Sequence, residues 1–277
     1  SHSDEYARPG YYKVDFPVGI TAEMTADVHT GAHRYTFKGK GIPQIQVDAE
    51  YCIGWWSKAL KAELVADGPN TITGTRNTTA WAHGRDGYFS AEFSVPFAKV
   101  EEVGRGKLLL TFPEGTKEVS VFAGLSGVSA ENAKANRLAE SSGATFDDMV
   151  SRAYSQWDAA LGKIKVEGGP ADVFYTCLYH TFVTPNRLDD VDGSYRDFKG
   201  ENRKVAPGRS YYSTLSIWDT FRGWHPMMTI LDPKLTVDII ESMLDMYDCT
   251  GELPVWPLSS FETISSSCRS ASSKAGS

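Results

Sequence analysis

Long apolar runs are missing from this sequence. No stretch reaches the roughly eighteen consecutive apolar residues that a helix needs to cross a bilayer, so no membrane span is expected. Clustered basic charge is missing too. The net charge is −7, Lys and Arg are scattered, and no basic stripe of the kind that grips phosphate backbones is present, which argues against a nucleic-acid partner. Cysteine is sparse: Cys52, Cys177, Cys249 and Cys268 lie at wide, irregular spacings that match no zinc pattern. A chain this long needs no disulfide framework, so the expectation is four thiols, most of them buried. There is no apolar leader, since the chain opens Ser1-His2-Ser3-Asp4-Glu5, and no initiator Met. The natural N-terminus is therefore expected upstream, and the missing leader says nothing about localisation.

What is present is a globular composition, 41% hydrophobic and 23% charged, in a 277-residue chain with room for one large domain or two ordinary ones. Seven Trp and thirteen Tyr suit a large core. They also suit sugar binding, because flat rings stack on the apolar faces of pyranoses, although burial accounts for most large rings.

The first part of the chain alternates in short runs broken by turn residues. The runs are Gly10 to Phe16, Ile20 to Val28, His33 to Phe37, Gly41 to Val47, Gly87 to Val95, Lys107 to Phe112 and Glu118 to Gly124. Such spacing predicts an antiparallel sandwich. From Ser129 the period turns helical. Thr145 and Asp148 have capping-box spacing, and Met149, Ala153, Trp157, Ala160 and Leu161 fall on one helical face. Gly168-Gly169-Pro170 then breaks the chain. A further helix is predicted from Ser216 to about Leu231. Another follows, with Asp232 as N-cap, Pro233 in its first turn, Gly251 as its stop, and Val237, Ile240, Met243, Leu244 and Tyr247 as its apolar face. Strands first and helices second give an α+β chain. Its segments are a β-sandwich at 1–128, incomplete at its N-terminus, a helical linker at 129–165, a helical domain at 166–263 and a disordered tail at 264–277, where serine abounds and periodicity is lost.

Three segments set polar groups among aromatics. Asp189, Asp190 and Asp192 follow His180 to Leu188. They could bind a cation, but the spacing is not that of an EF-hand loop, and a polar loop whose carboxylates bond local amides is the favoured explanation. Ser216 to Pro226 contains Trp218, Asp219, Phe221, Arg222, Trp224 and His225. On one helix Trp218, Phe221, Arg222 and His225 share a broad face, and Ser216 with Asp219 has capping-box spacing. That box leaves the crowding of Trp218, Trp224 and His225 without a reason. Gly251 to Thr263 carries Trp256 between Pro254 and Pro257 and ends at Glu262. A carboxyl set among rings has its neutral form favoured, which suits a general acid. Ser259 and Glu262 also have capping-box spacing, and the residues alone leave both readings open.

Taken together, several stretches resemble glycoside hydrolase family 92, the calcium-dependent exo-α-mannosidases. They include Pro9-Gly10-Tyr11-Tyr12, Gly19 to Thr25, His33 to Phe37, Phe174 to Thr181, Asp190 to Arg196, Trp218-Asp219-Thr220-Phe221-Arg222 and Leu253-Pro254-Val255-Trp256. The match runs from the first residues to about Thr263, and the order of several motifs makes it specific. The resemblance implies an N-terminal antiparallel β-sandwich followed by a partial (α/α)6 barrel. It implies removal of terminal α-linked mannose, α-1,2 by expectation, from glycans with inversion at the anomeric carbon. Glu262 takes the place of the family's general acid, although Phe261 stands where the family has Asn. Trp218 and Asp219 match residues of the terminal mannose pocket, with Arg222 orienting Asp219. A calcium cofactor is implied, as is a periplasmic or extracellular location.

The family's general base and main calcium ligands belong to a later part that has no match here, so the metal ligands are expected outside this sequence. Both ends are expected to lack family sequence, and the abrupt change at Ile264 fits a shifted reading frame or a shortened gene product. On that expectation this exact chain is inactive. A competing reading is a sandwich that binds glycan or protein without hydrolysis, its part-barrel needing the missing half or another chain for solubility.

Overall fold

The computed structural model describes residues 2–54, 56–79, 84 and 86–263. The serine-rich segment 264–277 and Cys268 lie outside the described residues. The chain divides into two compact units. One is Ser1–Thr78 with Asp86–Gly162, and the other is Thr79–Arg85 with Lys163–Ser277.

The first unit is built on β1 (Glu5–Arg8), β2 (Tyr11–Phe16), β3 (Ile20–Ala26), β4 (Thr30–Phe37), β5 (Gln44–Asp48), β6 (Lys58–Ala66), β7 (Thr71–Thr79), β8 (Gly87–Phe93), β9 (Lys99–Gly104), β10 (Lys107–Thr111) and β11 (Glu118–Ser126). Eight of these form one sheet in the order β1-β2-β3-β4-β11-β8-β7-β6, and β5-β10-β9 form a second. Strand alternation turns Phe37, Ile72, Phe93, Val119 and Val121 of the large sheet to one side, where they meet Leu108 and Leu110 of the small sheet in a single buried cluster. The antiparallel sandwich expected from the turn spacing is the observed arrangement. β1, β6, β7 and β9 had no place in that expectation. β6 and β9 are largely exposed along their length, and Gly74 interrupts β7, so their patterns are weak.

The other face of the large sheet is covered by helices α1 (Ala130–Ser141) and α2 (Phe146–Leu161). Both begin where the sequence places their caps. Ser129 Oγ accepts from the Asn132 amide at 3.1 Å. Thr145 Oγ1 accepts from the Asp148 amide at 3.2 Å while the Asp148 carboxylate accepts from the Thr145 amide at 2.8 Å, a complete capping box. α2 buries Phe146, Met149 and Ala153, with Phe146 and Met149 packing against Ala32 of β4. α1 lies so close to β11 that a Cβ built on Gly124 would stand 2.3 Å from the Ala133 carbonyl oxygen.

Polar contacts join these helices to the sheet and brace its strands. Arg34 on β4 donates to Glu23 at 2.7 and 2.8 Å and to Asp147 at 3.0 and 3.1 Å. Tyr11 donates to the same Glu23 at 2.7 Å, and burial followed by that carboxylate pushes its hydroxyl up to about 12. Arg137, almost fully buried on α1, pairs with Glu92 of β8. His29 meets Glu140 of α1 at 2.6 Å through its ring, and its amide donates to the same carboxylate at 3.0 Å.

The second unit starts with α3 (Ala171–Thr181) and two short strand pairs, β12 (Asn186–Arg187) with β15 (Tyr212–Ser213) and, between them in the chain, the hairpin of β13 (Ser194–Arg196) and β14 (Asn202–Lys204). It continues through α4 (Ile217–Thr220), α5 (Trp224–Leu231) and α6 (Pro233–Thr250), and ends in the hairpin of β16 (Pro257–Leu258) and β17 (Phe261–Glu262). Tyr195 and Tyr211 stack with ring centroids 4.0 Å apart, and Met246 of α6 closes this small core.

Two helical expectations change here. The helix predicted from Ser216 to Leu231 is two helices, because the chain opens at Phe221–Gly223 and Pro226, which has no N–H, sits in the first turn of a new helix. α6 keeps its predicted ends, with Asp232 accepting from the Leu235 amide at 3.0 Å and Gly251 at φ 77°. Its predicted apolar face, however, is not the buried one. Val237, Ile240, Leu244 and Tyr247 are exposed, while Asp238, Ile239, Ser242 and Met246 are buried. Ser242 decides this, since its hydroxyl donates to the Asp238 carbonyl at 2.6 Å and accepts from the Tyr212 amide at 3.0 Å. The thiols also differ from expectation: Cys177 is exposed and Cys52 and Cys249 are half-buried, all three free.

Two measurements test this architecture. Gly124→Ala is expected to lower unfolding stability in urea by about 1–3 kcal/mol, since backbone must shift to admit the methyl group. A loss under about 0.5 kcal/mol would contradict the close approach of α1. The second concerns Glu140. Burial raises its carboxyl, but the His29 ring, the His29 amide and the Thr30 hydroxyl outweigh burial and hold it below its ordinary value of 4.5. A lowered folded value gives stability that is present above 4.5 and lost as pH falls. Glu140→Gln should therefore cost about 1–3 kcal/mol at neutral pH. Its deficit against the wild type should narrow below pH 4.5. A deficit independent of pH would refute the charged pairing.

Candidate active site

Three segments distant in sequence meet in the second unit. The stretch leading into α4 pairs by backbone with the proline-flanked loop: the Leu215 amide donates to the Pro257 carbonyl at 3.2 Å and the Ile217 amide to the Val255 carbonyl at 3.0 Å. The same loop is held from its other side by Glu262. One of its carboxylate oxygens accepts from the Val255 amide at 2.7 Å, and the other from the Trp256 amide at 3.1 Å. Thr263 Oγ1 adds a bond to the Trp256 carbonyl at 2.9 Å. The third segment is the end of α3, where the Thr181 carbonyl accepts from Trp224 Nε1 at 2.7 Å.

A cleft of about 380 Å³ opens where these segments meet. Its walls include the rings of Trp224 and Trp256, the imidazoles of His180 and His225, and the hydroxyl-bearing Thr214 and Thr220. Trp224 and His225 stand edge to face, with ring centroids 5.0 Å apart. Burial lowers the His225 value below the usual imidazole range. Thr184-Pro185, joined by a cis peptide bond, lines one side.

The four residues singled out from the sequence all belong to this unit, and none of them lines the cleft. Trp218 on α4 is 77% exposed. Asp219 is exposed beside it, and its carboxylate accepts from Ser216 Oγ at 2.5 Å. That bond replaces the capping box considered for Ser216, whose hydroxyl accepts from no helix amide. Arg222 lies over the Phe221 ring at 5.1 Å and makes no ion pair with Asp219 among the described residues. Glu262 is half-buried on β17, opposite Pro257. The capping box considered for Ser259 and Glu262 does not form, because Ser259-Ser260 is the turn of a hairpin, with Ser259 at φ 54°. The break at Phe221–Gly223 also divides the broad face expected of a single helix. Trp218, Phe221 and Arg222 stay at the surface while His225 turns into the cleft.

Sequence reasoning missed the backbone pairing that assembles the site, and with it Thr214, Thr220 and His180 as cleft residues. The signal for His225 was present in its crowding with two tryptophans. The aspartates of the 189–197 region are engaged locally. Asp189 takes a forked pair from Arg187 at 2.7–3.1 Å and the Tyr211 amide at 2.8 Å. Asp192 takes the Ser194 amide, the Ser194 hydroxyl and Lys204. Among the described residues, no group of three or more His, Cys, Asp or Glu side chains is placed to hold a metal ion. The residues described here therefore do not fit a calcium site.

A model described as the glycosyl hydrolase family 92 N-terminal domain matches residues 1–161, and one described as the glycosyl hydrolase family 92 catalytic domain matches residues 132–273. An uncharacterized secreted glycosidase of Arthroderma benhamiae is 26% identical over a match that covers 79% of this chain and 33% of that protein. Among solved structures, a family GH92 α-mannosidase of Bacteroides thetaiotaomicron superposes with a TM-score of 0.87 at 28% identity, covering 95% of this chain and 39% of its own. A family GH92 inverting mannosidase of the same species gives 0.80 at 24% identity, a likeness of fold, with 92% of this chain and 37% of its own covered. The chain thus spans little more than a third of the length of these relatives. The α+β architecture, sandwich first and helices after, is the one shared with them.

The Glu262 clamp makes a prediction of its own. Glu262→Ala should free the Val255 and Trp256 amides and cost about 1.5–3 kcal/mol, as for hydrogen bonds to a charged group. Urea unfolding followed by tryptophan fluorescence measures the loss. An unchanged midpoint would mean that the loop is held by other contacts.

Proposed function

This chain belongs to glycosyl hydrolase family 92, and we propose that the protein carrying it removes terminal α-linked mannose from glycans, with α-1,2 linkages preferred and inversion at the anomeric carbon. The observation that carries the reading is the joining of the Ser216–Thr220 turn to the 255–262 loop, which sets Asp219 and Glu262 in two segments tied by backbone hydrogen bonds.

In this reading Glu262 is the general acid. It delivers a proton to the glycosidic oxygen as the bond to the anomeric carbon breaks. Both of its oxygens meet backbone amides of the proline-flanked loop, which fixes the carboxyl in place, and the proton it delivers is carried on an oxygen lone pair that those amides leave free. Asp219, exposed and turned by Ser216, accepts hydrogen bonds from sugar hydroxyls. Trp218 supplies a flat wall for the ring, and Arg222 contributes charge at the same rim. Inversion requires a water on the opposite face of the sugar, activated by a second carboxylate about 6.5–9.5 Å from the acid. That base lies outside the residues matched here. Calcium is proposed as the cofactor of the whole enzyme, held by residues outside those described, and no step assigned to this chain passes through it. The secreted relative favours an extracytoplasmic setting, periplasmic or extracellular.

The test is release of mannose from α-1,2-mannobiose by the whole protein. Glu262→Gln keeps an acceptor for the loop amides and removes the acid, so kcat should fall by about 10²–10⁴-fold while the fold is retained. Activity should also disappear on calcium chelation and return with added calcium. Full activity in Glu262→Gln would end the assignment of the acid, and no mannose release from any α-mannoside would end the reading itself. The 277-residue chain alone, if it binds mannosides without turnover, would behave as the non-catalytic alternative. Ordinary turnover by it would refute that alternative.

A further inference from the structure

The backbone of Ser216 is held on both sides. The amides next to it in the chain, those of Leu215 and Ile217, donate to the proline-flanked loop. Its own carbonyl accepts from the Asp219 and Thr220 amides at 3.0 Å and from Thr220 Oγ1 at 2.8 Å. The loop across from it is the one that Glu262 clamps. None of these bonds uses the Ser216 hydroxyl. A serine in this place ordinarily caps a helix amide, and this one caps none. Its hydroxyl donates to the Asp219 carboxylate at 2.5 Å.

Asp219 has nothing else to orient it. Its carboxylate is exposed, and among the described residues it meets no other donor and no cation. The resemblance to the family gives the orienting role to Arg222, but that guanidinium lies over the Phe221 ring instead. An exposed carboxylate without a partner samples several rotamers, and ordering it on a ligand costs entropy at the moment of binding. A charge-assisted bond from a hydroxyl whose own backbone is fixed restricts those rotamers beforehand.

We infer that Ser216 is the positioning residue of Asp219, and that its hydroxyl joins Asp219 to the loop clamped by Glu262. The inference rests on the mannosidase reading for what Asp219 does, but not for how Asp219 is held. In this role Ser216 neither touches sugar nor moves a proton. The contacts run from the Glu262 carboxylate to the Val255 and Trp256 amides, from the Val255 and Pro257 carbonyls to the backbone around Ser216, and from the Ser216 hydroxyl to Asp219. The proposed acid and the proposed acceptor of sugar hydroxyls therefore share one support.

The experiment measures kcat and KM of the whole protein on α-1,2-mannobiose. Ser216→Ala is expected to raise KM about tenfold and to leave kcat within about twofold, because binding common to ground state and transition state is lost. Ser216→Thr keeps the hydroxyl and should stay within about threefold of the wild type. Ser216→Val has the shape of threonine without the hydroxyl and should match the Ala variant. The Thr and Val pair carries the comparison if Ser216→Ala fails to fold by circular dichroism. In an Asp219→Ala background, Ser216→Ala should cost nothing further, because the group it places is gone. Losses that multiply in that background, Thr and Val variants that behave alike, or an unchanged KM in Ser216→Val would each overturn the inference. The contact is also read without turnover. In protein carrying ¹³C-labelled aspartate, the Asp219 carboxyl resonance, assigned with Asp219→Asn, should move in Ser216→Val and keep its place in Ser216→Thr. A resonance that follows the hydroxyl in a protein that releases no mannose would uphold the positioning and refute the mannosidase reading. Mannose release with that resonance and KM indifferent to residue 216 would do the reverse.

Discussion

Glu262 accepts hydrogen bonds from two successive backbone amides, those of Val255 and Trp256, and the geometry of the second unit follows from that contact. A carboxylate is one of the few side chains that can hold two neighbouring N–H groups at once, and such charge-assisted bonds are shorter and stronger than neutral ones. With these amides held from one side, the carbonyls of Val255 and Pro257 face the other way and capture the amides of Ile217 and Leu215. The hairpin, the proline-flanked loop and the turn into α4 are thereby joined across about forty residues of sequence, and the cleft is the space left at their junction. Proline supports the arrangement on both sides of Trp256, because Pro254 and Pro257 restrict the loop before any contact is made.

In the first unit the governing constraint is different. A large sheet has two faces, and each must be covered. The small sheet covers one with aliphatic and aromatic side chains, and α1 and α2 cover the other. The second contact is tighter than ordinary helix-on-sheet packing because Gly124 removes a side chain at the crossing. The charged groups that flank it are paired, and Arg137 among them is buried. Arg34 bridges Glu23 and Asp147, and Arg137 meets Glu92. Pairs of this kind contribute less to net stability than to placement, since desolvation offsets much of their attraction.

The second unit distributes its polar and apolar surface unlike a finished helical core. α6 buries Ser242 and Asp238 and exposes Val237, Ile240, Leu244 and Tyr247. The polar face is buried because it is satisfied: Ser242 serves both its own helix and the Tyr212 amide, and Asp238 takes Lys234 at 2.5 Å. Hydrogen bonds of known partners outrank hydropathy there, and a count of apolar residues by helical period cannot see them.

The sequence by itself determined whatever depends on local chemistry. The turn spacing marked the sandwich. Ser129, Thr145 and Asp232 began their helices and Gly251 ended one, because capping and left-handed turns involve residues within one helical turn. The ordered motifs around Trp218 to Arg222 and Leu253 to Trp256 marked the family, because a set of spacings is far more specific than any one of them. Tertiary structure decided what depends on distant partners. It divided the Ser216–Leu231 helix at Gly223 and turned Ser259 and Glu262 from a plausible cap into a hairpin clamp. It also placed His225 in the cleft, with Trp218 left at the surface. The Glu262 clamp closes over a hairpin and the cleft over about forty residues of chain, and periodicity within one segment carries no record of the amide that a carboxylate will meet.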